Sequence, residues 1–306
     1  MKIEFSVPKL IFGNNFDEVE EVNFEDIIKM LKIKLRQMGV LIFEKFLVNA
    51  PVSAIHYSKN ILLTDYSTPY TYLSIISKSN INQRLDLNQT DFRNEGHSLK
   101  FRANSFEVAF YDKLKDLDKA RTSEKRAEEK DNAIQLNLFE TNLIKIRKPF
   151  EVLRMEVRLN KKYKIIQILK AIAVDSEPTF QALFKKDIAQ KVLLHYIDEI
   201  ERGYPSILNY KKGAKDFLAD FIIKNSKASL KKAIQMLGLR TVINEIGIRE
   251  FREITKLYGK TSWYRLNKEL KEFYYPKGID AFKTIKTAIT EFIPLRLSVL
   301  NSGGIN

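Results

Sequence analysis

Apolar residues recur along this chain at two periods, and the change from one to the other divides it. Phe24, Ile27, Ile28, Leu31 and Leu35 follow the i, i+3, i+4 spacing of a helix and stop at Gly39, a usual helix C-cap. Short apolar segments then come at Val40–Val48, Val52–Leu63, Leu85–Leu87, Leu99–Lys113 and Val152–Asn160, punctuated by Asn, Pro and Gly. In the last of these, Leu153, Met155, Val157 and Leu159 alternate with Arg154, Glu156 and Arg158, so the strand shows an apolar face and a charged one. In Phe106–Lys113, Phe106, Val108 and Phe110 alternate with Glu107, Ala109, Tyr111 and Lys113, which predicts that the phenol and the ammonium share a face. The expected fold is α+β: an antiparallel sheet with packed helices.

After about Tyr163 the period is helical to the end, with Ile165, Ile168, Leu169 and Ile172 as one stripe and Ala233, Met236 and Leu237 as another. This predicts residues 1–165 as a sheet domain with an insertion at about 114–150, and residues 166–306 as an all-helical domain. Within the second, Ser229 is a candidate N-cap, Gly238 a turn, and 241–246 with 248–258 two further helices. A helix-turn-helix fits that pattern, and so does any helical bundle.

Composition narrows the classes of function. The chain has 306 residues, 44% hydrophobic and 29% charged, with no cysteine, which excludes disulfides, thiolate metal sites and cysteine nucleophiles. The net charge is +14, spread over both halves, and predicts a polyanionic partner, nucleic acid ahead of lipid because the cations lie on many elements rather than one amphipathic helix. The first 28 residues are the exception, being acidic. Apolar runs such as Ile61–Leu63 are far too short to span a bilayer, and Met1–Phe16 lacks a basic start followed by an apolar core. A cytoplasmic location with no membrane partner is expected. Serine-triad, Walker and dinucleotide motifs are absent from the sequence.

Three strand-like segments carry the candidate chemistry. A carboxylate flanked by two guanidiniums, Arg154-Met155-Glu156-Val157-Arg158, suits a metal and a phosphate, although taken alone this strand fits a salt-bridged solvent face better. Tyr111 is a poor nucleophile at neutral pH and needs a cation beside it, which Lys113 or a metal would supply. His56, in an apolar strand with Ser58 on the same side, is either a core histidine or a ligand.

Taken in order, these segments resemble the rolling-circle replication initiators of filamentous phages, the gene II protein family, and the similar core of the Rep_trans plasmid initiators. The resemblance begins at Pro8-Lys9-Leu10-Ile11-Phe12-Gly13-Asn14-Asn15 and continues at Val52-Ser53-Ala54-Ile55-His56-Tyr57. It is most specific at Phe101-Arg102-Ala103-Asn104-Ser105 running into Phe110-Tyr111-Asp112-Lys113, a Y-x-K strand, and at Leu153-Arg154-Met155-Glu156-Val157-Arg158-Leu159, an L-R-x-E-x-R-L strand. It spans residues 5–160.

That resemblance implies a nuclease core of the HUH/RRM-like kind and strand-specific endonuclease activity in the bacterial host cell. A tyrosine would nick the replication origin, stay joined to the 5′ phosphate and leave a 3′ hydroxyl to prime synthesis. Tyr111 would be the nucleophile and Lys113 its neighbour. Glu156, His56 and His97 would hold Mg²⁺ or Mn²⁺, and Arg102, Arg154 and Arg158 would meet phosphate. The implied partner is origin DNA, single-stranded or hairpin. The competing reading, from another class, is a non-catalytic basic nucleic-acid-binding protein. A further segment, Gln135, Leu136, Asn137, Leu138 and Phe139, resembles the Q-L-x-L-F peptide by which bacterial replication proteins dock on the polymerase sliding clamp.

Overall fold

Alternation at period two and capped helical stripes produce most of the expected elements. The structure, a computed structural model, describes residues 2–79, 91–93, 97–117, 151–209, 213–259, 261–275 and 280–298. Contacts divide the chain into two units: residues 1–73, 84–196 and 285–306 form the first, residues 74–83 and 197–284 the second. The sequence pattern places the division near residue 165. The structure places it at Tyr196 and Ile197, because the helix that follows the last strand, Lys162–Ala171, buries Ile165, Ile168 and Leu169 within the first unit, and residues 285–306 return to it.

In the first unit, helix α1 (Val7–Phe12) is followed by α2 (Phe24–Gln37), whose stripe of Ile27, Ile28, Leu31 and Leu35 is buried. Gly39, at φ +80°, ends α2, and the Val40 amide returns to the Leu35 carbonyl at 2.9 Å, the left-handed stop its position predicts. Residues 44–48 form a short helix, α3 (Glu44–Val48), where the apolar run Val40–Val48 suggests a strand; Leu47 packs on Ile28, Leu31 and Leu35, so contact with α2 outweighs the extended preference.

The strands are β1 (Ile55–Leu63), β2 (Asp91–Arg93), β3 (Ser98–Arg102), β4 (Phe106–Asp112) and β5 (Glu151–Leu159). They form an antiparallel sheet in the order β1-β5-β4-β3, with the three-residue β2 added beside β3. The apolar segment Leu99–Lys113 is thus two strands joined by a tight connection, closed by the Ala103 amide on the Phe106 carbonyl at 2.9 Å. One face of the sheet is apolar: Tyr57, Ile61, Leu153, Met155, Val157, Leu159, Phe106, Val108, Phe110, Leu99 and Phe101 are all buried there. Elements after β5 cover it. The Tyr57 hydroxyl donates to the Leu183 carbonyl at 3.0 Å, and the rings of Phe106 and Tyr196 lie 5.1 Å apart.

β1 is an edge strand, and the chain's own acidic N-terminal segment covers it. Glu18 pairs with Lys59, which is only 2% exposed, and also accepts from the Asn60 amide at 2.5 Å and the Leu295 amide at 2.9 Å. Lys59 donates a second bond to the Ile293 carbonyl at 2.7 Å. Asp17 takes the Leu297 amide at 2.7 Å and Glu20 the Arg296 guanidinium at 2.6 Å. Three of the acidic residues among the first 28, Asp17, Glu18 and Glu20, thus anchor residues 293–297 and β1.

The second unit is helical, with α4 (Ala214–Lys224), α5 (Leu230–Lys256) and α6 (Ser262–Glu272) around Phe217, Phe221, Met236, Ile243, Ile248, Trp263, Leu270 and Tyr275. Ser229 caps α5 as expected, its hydroxyl accepting from the Lys232 amide at 3.3 Å. Gly238 does not turn the chain but lies inside α5, and the break falls at Gly247, with φ +81° and ψ 158°. The two arms therefore meet at a single-residue kink, not at the three- or four-residue turn of a helix-turn-helix.

Two outcomes follow for stability. Replacing Glu18 with Ala leaves Lys59 charged and buried, and lowers stability by about 3 kcal/mol in urea unfolding, whereas pairing Glu18→Gln with Lys59→Met recovers most of that loss. A side chain at either glycine of α5 meets nothing within 4 Å, so backbone alone decides the sign. Gly238→Ala should stabilise the second unit by about 0.5–1 kcal/mol. Gly247→Ala should destabilise it by about 1–3 kcal/mol, because that φ/ψ region is essentially reserved for glycine.

Candidate active site

Register alone assembles the charged face of the sheet. Ser58 on β1 lies opposite Glu156 on β5, which lies opposite Ala109 on β4, which lies opposite Lys100 on β3. One row up are Asn60, Arg154, Tyr111 and Ser98; one row down are His56, Arg158, Glu107 and Arg102. Since alternate residues share a face, these twelve positions face the same way, opposite to the apolar core.

Glu156 is the hub. The Tyr111 hydroxyl donates to Glu156 Oε2 at 2.9 Å, and Arg158 donates from Nε to Oε1 at 3.1 Å and from Nη2 to Oε2 at 3.2 Å. His56 Nδ1 stands 3.6 Å from Oε1. Burial works to raise the Glu156 pKa, but the hydrogen bond and charge of Arg158, the charge of Arg154 and the Tyr111 hydroxyl outweigh it and bring the group down to about 2. Tyr111 moves the other way: burial pushes the phenol well above its ordinary value, Glu156 adds to the rise, and only the Arg154 charge opposes it. His56 is lowered by burial, with Glu156 pulling it up and Arg158 adding to the fall.

The upper end of this face is closed. Arg154 donates to the Ser58 hydroxyl at 2.6 Å and to the Asn15 carbonyl at 2.5 Å, which ties the N-terminal segment over Tyr111's row. Phe16, Val152, Leu62, Leu114, Leu117, Leu295 and Leu297 form a small apolar cluster beyond it. Lys113 is not on the strand, as its alternation with Tyr111 predicts, but opens a helical turn at residues 113–117. It nevertheless reaches Tyr111: its ammonium lies 5.7 Å from the phenol ring centre, 2.8 Å from Asp116. Burial and Arg154 lower the Lys113 pKa, opposed by Asp116.

The structure thus brings together Tyr111, Lys113, Glu156, His56, Arg154 and Arg158, and sets Arg102 two rows below Tyr111. It does not bring His97 to them. His97 precedes β3, its Nε2 meets the Lys115 ammonium at 2.6 Å, and its Nδ1 is 4.0 Å from Asp112, a residue of the opposite face. Gln135, Leu136, Leu138 and Phe139, with the rest of the insertion beyond Leu117, lie outside the described residues. Two contributors escape motif reading. The Asn15 carbonyl is backbone and leaves no side-chain signature, and Glu107 shows only in its alternation with Tyr111.

Among the described residues no group of three His, Asp or Glu side chains is arranged to hold a metal ion. His56 and Glu156 are two adjacent donors of suitable type. Mg²⁺ and Mn²⁺ commonly take one or two protein ligands and complete their shell with water and phosphate oxygens. The pair therefore fits an ion that arrives with a phosphate, while Arg154 and Arg158 work against one binding alone.

Among the described residues no helix is long and apolar enough to cross a membrane. Compared with protein-family models, curated proteins and solved structures, the chain matches none of them.

Proposed function

We propose that this chain is a tyrosine endonuclease with an HUH-type core that nicks and rejoins one DNA strand at a rolling-circle origin, as its resemblance to the phage and plasmid initiators implies. The observation that supports this most is the Tyr111 hydroxyl, 2.9 Å from a carboxylate, on a sheet face that also carries Arg154 and Arg158. In the reaction the Tyr111 oxygen bonds to phosphorus, the bond from phosphorus to the 3′ oxygen breaks, and that oxygen leaves as a hydroxyl after taking a proton. Glu156 and His56 would hold a divalent ion, which when bound polarises the scissile phosphate.

The chain's own groups do the rest. Glu156 orients the phenol. While Arg158 grips it, Glu156 is too weak a base to take the proton. A phosphate that draws Arg158 away removes the partner that lowers Glu156 most, and so makes it a better acceptor as substrate binds. Arg154 and Lys113 offset the charge that develops on the phosphate. The partners in this reading are origin DNA and, through residues 135–139, a bacterial sliding clamp, in a phage- or plasmid-bearing cell.

One observation favours the non-catalytic reading instead. Burial raises the Tyr111 pKa, and its hydrogen bond to Glu156 holds the resting phenol protonated, as a merely structural tyrosine would be. A covalent adduct separates the two readings.

Single-stranded oligonucleotides that tile the DNA flanking the gene, labelled at the 3′ end and incubated with Mg²⁺ or Mn²⁺, should give a band joined to the protein on a denaturing gel. Tyr111→Phe should abolish that band with oligonucleotide affinity unchanged, since it removes a hydroxyl and no charge. An adduct on the Phe variant would move the nucleophile to another tyrosine, and no adduct on the parent with any oligonucleotide would favour the binding protein. Glu156→Gln should cut adduct formation by about 100-fold or more and shift the metal dependence to higher concentration. Activity retained at ordinary Mg²⁺ would reduce Glu156 to a salt-bridge residue.

A further inference from the structure

A second charged cluster lies on the same face, one row beyond Glu156, and of its members the proposed reaction uses only Arg158. Glu107 on β4 sits opposite Arg158 on β5 and Arg102 on β3. Three cations converge on its carboxylate: Arg102 Nε at 2.9 Å, Arg158 Nη1 at 3.0 Å and Lys100 Nζ at 3.5 Å. The charges do not balance, since Arg158 also serves Glu156. The hydrogen bonding is poorer still: Glu107 Oε1 and Arg102 Nε, both shut off from water, make no hydrogen bond of good geometry. A buried polar atom left in that condition costs free energy that a better-shaped partner would recover. The cations remain within reach of solvent, the Arg102 and Arg158 side chains being 32% and 30% exposed while that of Glu107 is 12% exposed.

We infer that Lys100, Arg102 and Arg158 form a phosphate subsite for single-stranded nucleic acid, which the Glu107 carboxylate fills in the resting chain as an internal stand-in. A phosphodiester has the oxygens to satisfy two guanidiniums at once, which one carboxylate oxygen without a hydrogen bond does not. The subsite lies four residues along the strands from Tyr111's row, about 13 Å at the antiparallel rise, or roughly two nucleotide steps of an extended strand. His56, in the same row and half exposed, offers a ring on which a base can stack. A strand crossing the sheet along β4 and β5 would place one phosphate at Tyr111 and a later one here. The choice of a DNA strand as ligand rests on the nicking reading; the anion subsite itself rests on the cluster.

The test measures binding of a fluorescein-labelled dT12 oligonucleotide to the full chain, without divalent metal, across a series of salt concentrations. Glu107→Gln keeps the shape and removes the competing charge. It should raise affinity about threefold to tenfold and steepen the slope of log affinity against log salt by part of the roughly 0.7 that one phosphate contributes on a single strand, since in the parent the phosphate displaces the carboxylate only in a fraction of the complexes. Arg102→Gln, at the rim, should lower affinity and make the slope shallower by the remaining part of that value. Parent-like affinity and slope in folded Glu107→Gln would overturn the subsite, and so would parent-like binding by Arg102→Gln, which decides the matter if the Glu107 variant does not fold. An equal gain by Glu107→Gln for a 12-base-pair duplex would overturn the single-strand assignment. A gain for dT12 with no covalent adduct on any oligonucleotide would sink the nicking reading and leave the subsite standing; an adduct without the gain would do the reverse.

Discussion

The register of β5 between β1 and β4 is the constraint on which the rest depends. Side chains alternate along a strand, so a slip of one residue would turn Arg154, Glu156 and Arg158 toward the apolar side and Met155 and Val157 toward the charged one. Both neighbours hold the register. On the core side Leu153, Met155, Val157 and Leu159 are fully or almost fully buried, and on the other side Glu156 hydrogen-bonds Tyr111 while Arg158 pairs with Glu107. Hydrophobic burial and ion pairing thus specify the same alignment, and Tyr111 meets Glu156 because of it.

An edge strand next to such a site needs its own protection. β1 carries His56 and Ser58 to the charged face, and its outer side would otherwise present free amides to another chain. Glu18 answers several of these needs at once, pairing with Lys59 and accepting the Asn60 and Leu295 amides. A buried ion pair is seldom a large source of stability, because desolvation offsets most of its attraction. Lys59 lies inside and pairs with Glu18, which also holds the Leu295 amide, so one contact joins residues 14–20, residues 293–297 and β1. The same docking sets the Asn15 carbonyl against Arg154, which links the shape of the site to a contact on the strand's far side.

The electrostatics of the face explain why a tyrosine and a carboxylate can sit together there. Among the described side chains of β1, β3, β4 and β5, the cations Lys100, Arg102, Arg154 and Arg158 on this face outnumber the carboxylates Glu107 and Glu156. The excess keeps Glu156 ionised even though it is buried, and makes the face a surface for anions rather than for a free dication. A divalent ion would enter most readily with the phosphate that offsets the arginines. Two features of the proposed chemistry, substrate-assisted metal binding and release of Arg158 from Glu156, therefore share one cause.

The alternation of Arg154, Glu156 and Arg158 with large apolar residues determined a strand with one charged face, and the stripe from Phe24 to Leu35 determined a helix ending at Gly39. These are local properties, decided by periods of two and 3.6 that a chain carries in its residue order. The class of fold, antiparallel strands with helices on them and a helical second half, was legible for the same reason. What only the tertiary structure decided were questions of which neighbour wins. Residues 44–48 are helical because Leu47 meets α2, and α5 runs through Gly238 and breaks at Gly247 because Ala233, Met236, Ile243 and Ile248 must all reach one core. His97 and His56 look alike in sequence, yet one lies beside Asp112 and Lys115 and the other beside Glu156, since pairing of β3 with β4 and of β1 with β5 assigns each its surroundings. The first 28 residues stand out in sequence only as acidic, and that Glu18 is an internal anchor is decided by partners more than 40 residues away at Lys59 and more than 270 away at Leu295. No period or local motif encodes contacts at that separation.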